Sequence, residues 1–272
     1  MSEQSIYTVD GEAEAMRVAT ENARKSFKFL WRELSWEYRR IVPGLDLAAV
    51  KVGFANDSPG EGEPPVEHMW VSDIQFDGTV ISGVLLNEPH WVRGLGAGDA
   101  VSTPLAEITD WMCAVDGKVY GGYTIDVMRA GMSKAERQQH DQAWGLDFGK
   151  PGEVWPVPSR ARTSKGFLSG LLSGKGAGSP VADPELTEHP MSENMASKIE
   201  EALVDNPSLA FHLDESGWSM LHREALAGNS TPVAILLRHG ADPKALNGQG
   251  LSALDLARKM GWPRIVALLE GH

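Results

Sequence analysis

The sequence predicts an α+β domain, with an N-terminal helix packed on an antiparallel sheet, followed by an all-α domain of about three stacked helical repeats. Three observations predict it. Apolar residues at three- and four-residue steps up to Leu34 give way, between residues 45 and 125, to β-like segments separated by Asp-Gly pairs. A stretch from Pro151 to Pro180 is dominated by proline, glycine and serine. Beyond it, Gly217 and Gly250, Leu221 and Leu254, Gly228 and Gly261, and Leu236 and Leu269 each stand 33 residues apart. A fixed period of that length marks stacked two-helix units. The expected organisation is therefore residues 1–150, a linker over 151–180, and repeats over 181–272.

The first helix is expected over Glu12 to Leu34. Ala13, Met16, Ala19 (or Thr20), Ala23, Phe27, Leu30 and Leu34 would form one buried face, with charged residues between them on the other. Asp10 is the expected N-cap, and Trp31 and Trp36 are expected to seat the helix on the segments after it. Pro43-Gly44 ends the pattern. Strands are then expected over Leu47 to Ala55, Val66 to Phe76, Thr79 to Leu86, Ala100 to Pro104, Ile108 to Val115 and Lys118 to Ile125. Asp77-Gly78 and Asp116-Gly117 are two-residue hairpin signals. Gly121-Gly122 reads as a bulge or close backbone approach that does not precede a helix, and Ser133 to Trp144 as a closing helix. In the linker, Phe167, Leu168, Leu171 and Leu172 form a short apolar patch among Arg160, Arg162, Lys165 and Lys175.

Composition bounds the function. The chain of 272 residues is 42% hydrophobic and 23% charged, with one cysteine and a net charge of −12. A lone Cys113 excludes an intramolecular disulfide framework and a thiolate metal cluster, and is expected to be a small buried hydrophobe. Residues 1–150 carry 14 basic against 23 acidic side chains and residues 181–272 carry 7 against 13, whereas 151–180 carry 4 against 1. Acidic folded portions disfavour nucleic acid and anionic membranes and favour a basic partner surface. No apolar run reaches membrane-spanning length. The start Met1-Ser2-Glu3-Gln4 reads as no export signal, so a cytoplasmic location is expected, or a periplasmic one if the target is a cell-wall enzyme.

Two resemblances add to this reading. The copy Asp214-Glu215-Ser216-Gly217-Trp218-Ser219-Met220-Leu221-His222, followed by Gly228 and the run from Val233 to Pro243, resembles the ankyrin repeat, as does its partner around Gly250, Leu254, Asp255 and Gly261. Leu203 and Val204 lie 33 residues before Leu236 and Leu237, which implies a degenerate first unit. The resemblance implies that His222 bonds the turn backbone and that turn tips and inner helices line a concave binding face. Glu224 departs from the small alanine usual at its position. In the N-terminal half, Glu67-His68-Met69-Trp70-Val71, Gly83, Asn87-Glu88-Pro89, Gly98-Asp99, Asp110-Trp111-Met112 and Gly121-Gly122-Tyr123-Thr124 resemble domain-of-unknown-function family 2314. That family implies a small bacterial α+β domain and brings no established reaction.

The expected function is that of a non-catalytic protein-binding protein. By analogy with bacterial proteins that join a small accessory domain to a short repeat stack, the reading is an immunity protein that covers the active site of a toxin or type VI effector enzyme with a basic surface. Protein-binding candidates are Trp218, Arg223, Glu224, Gln249, Arg258 and Trp262 in the repeats, with Trp91 and Glu88 in the first domain. Trp262 is equally a candidate to cap the core. No catalytic, metal or cofactor residue is assigned. The alternatives are a scaffold with several weak partners, or an enzyme using Glu88, His68 and Asp110. For Asn87 and Glu88 the structural reading, caps of the turn before Pro89, outweighs the catalytic one.

Overall fold

The computed structural model describes residues 3–158 and 183–272, with only the backbone described over residues 3–12. The linker's apolar patch (Phe167, Leu168, Leu171, Leu172) and its four basic residues lie outside the described residues.

The helix α1 (Glu3–Glu37) runs 35 residues. It starts before Asp10, so that residue is inside the helix and not its N-cap. The predicted apolar stripe is buried from Ala19 onward, with Ala19, Ala23, Phe27, Leu30 and Leu34 between 0 and 6% exposed, whereas Ala13 is exposed and Met16 half-buried. The opposite side is buried as well, including Lys28, Phe29, Arg32, Glu33 and Trp36. The expectation of one buried face is corrected: α1 lies between two partners, and its charged side is one of the interfaces.

One partner is a six-stranded antiparallel sheet of order β4-β3-β2-β1-β5-β6. The strands are β1 (Leu47–Ala55), β2 (Val66–Phe76), β3 (Val80–Leu85), β4 (Ala100–Pro104), β5 (Ile108–Val115) and β6 (Lys118–Gly121). Side chains alternate between faces. Val50, Val52, Met69, Val71, Ile81, Leu85 and Trp111 are buried on the α1 side. There Trp111 Nε1 donates to Ala23 O at 2.9 Å, and Phe27 meets Phe76 edge-on at 5.2 Å. At the β5–β6 turn, Asp116 and Gly117 take positive φ values of 50° and 73°, the geometry that a two-residue hairpin turn demands. The last predicted strand is too long, because α2 (Tyr123–Gly131) begins immediately after the left-handed Gly122. The glycine pair does precede a helix. Its cause is Asp110, whose carboxylate collects the N–H groups of Tyr123 (3.0 Å) and Thr124 (2.7 Å) and pulls the chain out of the sheet. The closing helix α3 (Lys134–Trp144) starts on a Ser133–Glu136 capping box.

The other partner is a set of helix pairs: α4 (Pro190–Asn194) with α5 (Ala196–Asp205), α6 (Met220–Ala227) with α7 (Ser230–Arg238), and α8 (Ala253–Met260) with α9 (Pro263–Glu270). The pairs are joined through turns that stack backbone to backbone, as Gly248 N donates to Ser216 O at 3.0 Å. His222 holds the turn as the resemblance implies, accepting from Ser219 N at 3.1 Å through Nδ1 and lying 2.9 Å from Ala245 O through Nε2. Two of the three pairs are complete. The first has an inner helix of only five residues, and α1 supplies the surface that it lacks.

Candidate docking cleft

The binding surface expected from the repeats is largely occupied by the chain's own N-terminal half. Trp36 Nε1 donates to Asn229 Oδ1 at 2.9 Å. Lys28 Nζ reaches Gly261 O at 2.8 Å and Glu185 at 2.6 Å, while His189 lies 3.1 Å from Glu33. The β2–β3 hairpin touches the repeats at its tip, with Gln249 donating to Asp77 and Lys259 to Thr79, both at 2.7 Å.

Several of the expected contact residues are consequently internal. Trp262 is 2% exposed. Its ring packs edge-on against Phe29 at 5.7 Å, lies 4.8 Å from Lys28 Nζ and 5.1 Å from the Arg32 guanidinium, and gives its N–H to Leu226 O. It therefore closes the core and offers no surface to a partner. Glu224, also 2% exposed, meets Arg39 just past α1 at 2.7 Å and accepts from Asn229 Nδ2 at 2.7 Å. Its departure from the small residue usual there is explained by that guanidinium, and it too is corrected to an internal contact. Gln249 is engaged by Asp77. Arg258 stays on the surface, paired with Glu270 at 2.6 Å. Trp91 is 40% exposed in the loop after β3.

Arg223 remains exposed, whereas Trp218, expected as an open anchor at a turn tip, is packed into the core at 9% exposure. Beside them a cleft of about 390 Å³ runs between the end of α1 and the repeat turn, lined by Trp31, Tyr38 and Arg39, by Gln75 and Asp77 of the hairpin, and by Ser216, Trp218 and Arg223. Behind them a second cavity of the same size, with more apolar walls, is framed by Met195, Ile199, Leu209 and Met220 with Trp36 and Arg39. Arg223 is held by the Asp214 carboxylate with its guanidinium 5.9 Å from the Trp218 ring. Asp214 also accepts from Ser216 N and Trp218 N, each at 2.9 Å. Burial would raise its pKa, but these N–H donors and Arg223 outweigh it and hold it below the usual carboxylate range. The Trp31 indole N–H, buried in this wall, has no hydrogen-bond partner among the described residues. Sequence reasoning found Trp218 and Arg223 but missed Tyr38 and Arg39 as contributors, because they lie just past the periodic stretch of α1.

The residues named for catalysis do not meet. Glu88 Oε2 accepts from Ala97 N at 2.9 Å, and Asn87 Oδ1 from Trp70 N at 3.1 Å. Both side chains accept from backbone, as a structural role requires, but from Trp70 in β2 and Ala97 in the loop and not from the expected turn before Pro89. His68 Nδ1 instead lies 3.3 Å from Thr109 Oγ1. Cys113 is buried at 1%, and burial pushes its thiol pKa up, away from nucleophilic use. Among the described residues no helix is long and apolar enough to cross a membrane.

Residues 13–148 match the family described as "Uncharacterized protein conserved in bacteria (DUF2314)". A Neisseria meningitidis serogroup B protein named "putative ankyrin repeat protein" is 41% identical over 271 residues, covering 99% of this chain and 98% of its own length. The Escherichia coli K12 "uncharacterized protein YegJ" is 31% identical over 86 residues, 32% of this chain and 56% of that protein. The name of the Neisseria relative accords with the helix pairs. With half its length matched by the family and a relative aligned almost end to end, the chain belongs to the DUF2314 family of bacterial proteins.

Proposed function

We propose that this is a non-catalytic protein-binding protein whose partner docks over the cleft beside Trp218. The observation that carries the reading is that the first complete repeat keeps an exposed guanidinium, Arg223, at a preformed concavity whose wall includes the largely buried Trp218. Such arginine anchors in pockets supply much of the energy of protein interfaces. Because α1 and the β2–β3 hairpin cover the inner helices, the docking surface is composite, and neither half alone presents it.

The finer reading is an immunity role, in which the partner is a toxin or secreted type VI effector enzyme whose active site is covered, met in the cytoplasm. The net charge of −12 suits a basic partner and would speed encounter by electrostatic steering. The test is purification of the full chain with the product of the adjacent gene, followed by titration of the pair. The reading expects a stoichiometric complex tighter than micromolar that loses at least roughly tenfold in affinity in Arg223→Ala. Several weak partners would favour a scaffold instead, and an unchanged affinity in Arg223→Ala would move the interface elsewhere.

A further inference from the structure

The sheet face turned away from α1 carries a half-buried lysine that the docking reading does not use. Lys51 of β1 has no carboxylate within ion-pair distance among the described residues. Its Nζ makes one hydrogen bond, to Thr124 Oγ1 at 3.3 Å, and lies 5.4 Å from the Trp70 ring. Thr124 Oγ1 gives its own proton to Asp110 Oδ2 at 2.6 Å, so a hydroxyl separates the amine from the carboxylate. Asp110 is fully buried and takes three further N–H donors, from Trp111, Tyr123 and Thr124.

The arrangement depends on a β-bulge. The β1–β5 register shifts between Lys51 and Val52, so that Lys51 pairs with Asp110 and Val52 with Ile108. The extra residue is Thr109, which places Thr109 and Asp110 together on the outer face, a re-aiming of side chains that bulges perform. Thr109 Oγ1 donates to Lys51 O at 3.3 Å. With its proton spent there, it accepts from His68 Nδ1–H, and this tautomer leaves His68 Nε2 as a free base on the exposed surface. His68 sits two residue pairs along from Lys51 on the same face, since Gly53 pairs with His68 and Lys51 with Trp70. Trp144 of α3 meets Trp70 edge-on at 6.3 Å and is 39% exposed, extending an aromatic wall beside the amine.

We propose that Lys51 is an amine nucleophile that captures a small aldehyde as a reversible imine, with Trp70 and Trp144 as the apolar wall and His68 Nε2 as the proton carrier. The Nζ lone pair forms a bond to the carbonyl carbon while the π pair moves to oxygen, and transfer of an ammonium proton to that oxygen gives a carbinolamine. His68 Nε2 then takes the remaining N–H proton as the C=N bond forms and delivers it to the departing hydroxyl, which leaves as water and yields the imine. The sum is amine plus aldehyde giving imine plus water, with no redox change. A neutral carbonyl is preferred to an anion because the buried Asp110 lies beneath the amine and would repel a second negative charge.

The groups facing Lys51 are Asp110 from β5, Thr124 from α2, and His68 and Trp70 from β2. Burial lowers the Lys51 pKa against the raising influence of Asp110, and favours the free base that the step needs. Burial followed by the Lys51 charge lowers that of His68.

The proposal is independent of the docking cleft. Its test treats the full chain with benzaldehyde and cyanoborohydride at neutral pH and maps reduced imines by peptide mass spectrometry. Lys51 is expected to label roughly tenfold faster than the other lysines, because burial keeps more of it as the free amine. His68→Gln, a change at an exposed side chain, is expected to slow Lys51 labelling several-fold without altering that of other lysines. Labelling of Lys51 at or below the average rate would overturn the proposal, as would an unchanged rate in His68→Gln.

Discussion

Trp36 and Asn229, 193 residues apart, are joined by a buried hydrogen bond of 2.9 Å and are 1% and 0% exposed. The bond ties the last turns of α1 to the start of α7, and it belongs to a network. Asn229 Oδ1 also accepts from Ser192 Oγ at 3.3 Å, and its Nδ2 donates to Glu224 at 2.7 Å. Through it the sheet domain and the repeats share one core, which explains how so short a stack stays folded although repeat units cannot bury their faces alone.

Asn229→Ala is therefore expected to lower stability by about 3 kcal/mol, because it strands a buried indole N–H and leaves Glu224 with one partner fewer. Urea unfolding of the wild type should give coincident transitions by tryptophan fluorescence and far-ultraviolet circular dichroism. Two separated transitions would contradict the shared core.

The Arg39–Glu224 pair makes a second prediction. Glu224 is buried while Arg39 keeps more than a third of its side chain exposed, so removing the arginine leaves an unpaired buried carboxylate. Arg39→Ala should cost about 3 kcal/mol. Neutralising the partner as well, in Arg39→Ala/Glu224→Gln, should return about 2 kcal/mol of that loss. A double-mutant cycle with no coupling would mean that the contact contributes nothing.

Much of this was legible in the chain, and the failures share a cause. The strands Leu47–Ala55, Val66–Phe76, Ala100–Pro104 and Ile108–Val115 were readable because turn residues punctuate them and β-formers fill them. The closing helix from Ser133 was readable from its composition, and the turn role of His222 from the resemblance to the ankyrin repeat. The second buried face of α1 was not, since Lys28, Arg32 and Glu33 look like solvent residues until Trp262 and His189 are placed against them. Glu224 and Trp262 read as contact residues for a partner because a sequence does not say which surface covers a repeat. In this chain the cover is its own first helix. Helix α2 was missed because its start depends on Asp110, a side chain 13 residues earlier.

Glu67 gives a pH prediction. Its carboxylate accepts from the backbone N–H groups of His90 and Trp91 at 2.9 Å and Val92 at 3.2 Å, pinning the loop after β3. Burial would raise its pKa, but the three donors outweigh it and the folded value is lowered. A carboxylate with a depressed folded pKa contributes stability above its unfolded value of about 4.3 and loses it as pH falls through the folded one. Glu67→Gln should thus be destabilised by roughly 1–3 kcal/mol at pH 7. The difference from wild type should shrink between pH 5 and pH 3, as followed by urea titrations across about that range. A constant difference across that range would show that the charge is not what the loop requires.

Two left-handed glycines of the repeats separate packing from backbone strain. Gly228 has φ +78°, and a Cβ there would stand 2.3 Å from Cε2 of the Trp262 ring; Gly250 has φ +74° with nothing within 4 Å. Both substitutions to alanine meet the left-handed penalty of about 1–2 kcal/mol. Only Gly228→Ala must also push aside a buried indole fixed by Phe29, Lys28 and Leu226 O, which adds roughly 1–3 kcal/mol. Thermal unfolding should accordingly place Gly228→Ala well below Gly250→Ala, and Gly228→Ala should perturb fluorescence from the α1–repeat interface. If the two variants melted together, Trp262 would not be the rigid wedge between α1 and the helix pairs that its contacts make it.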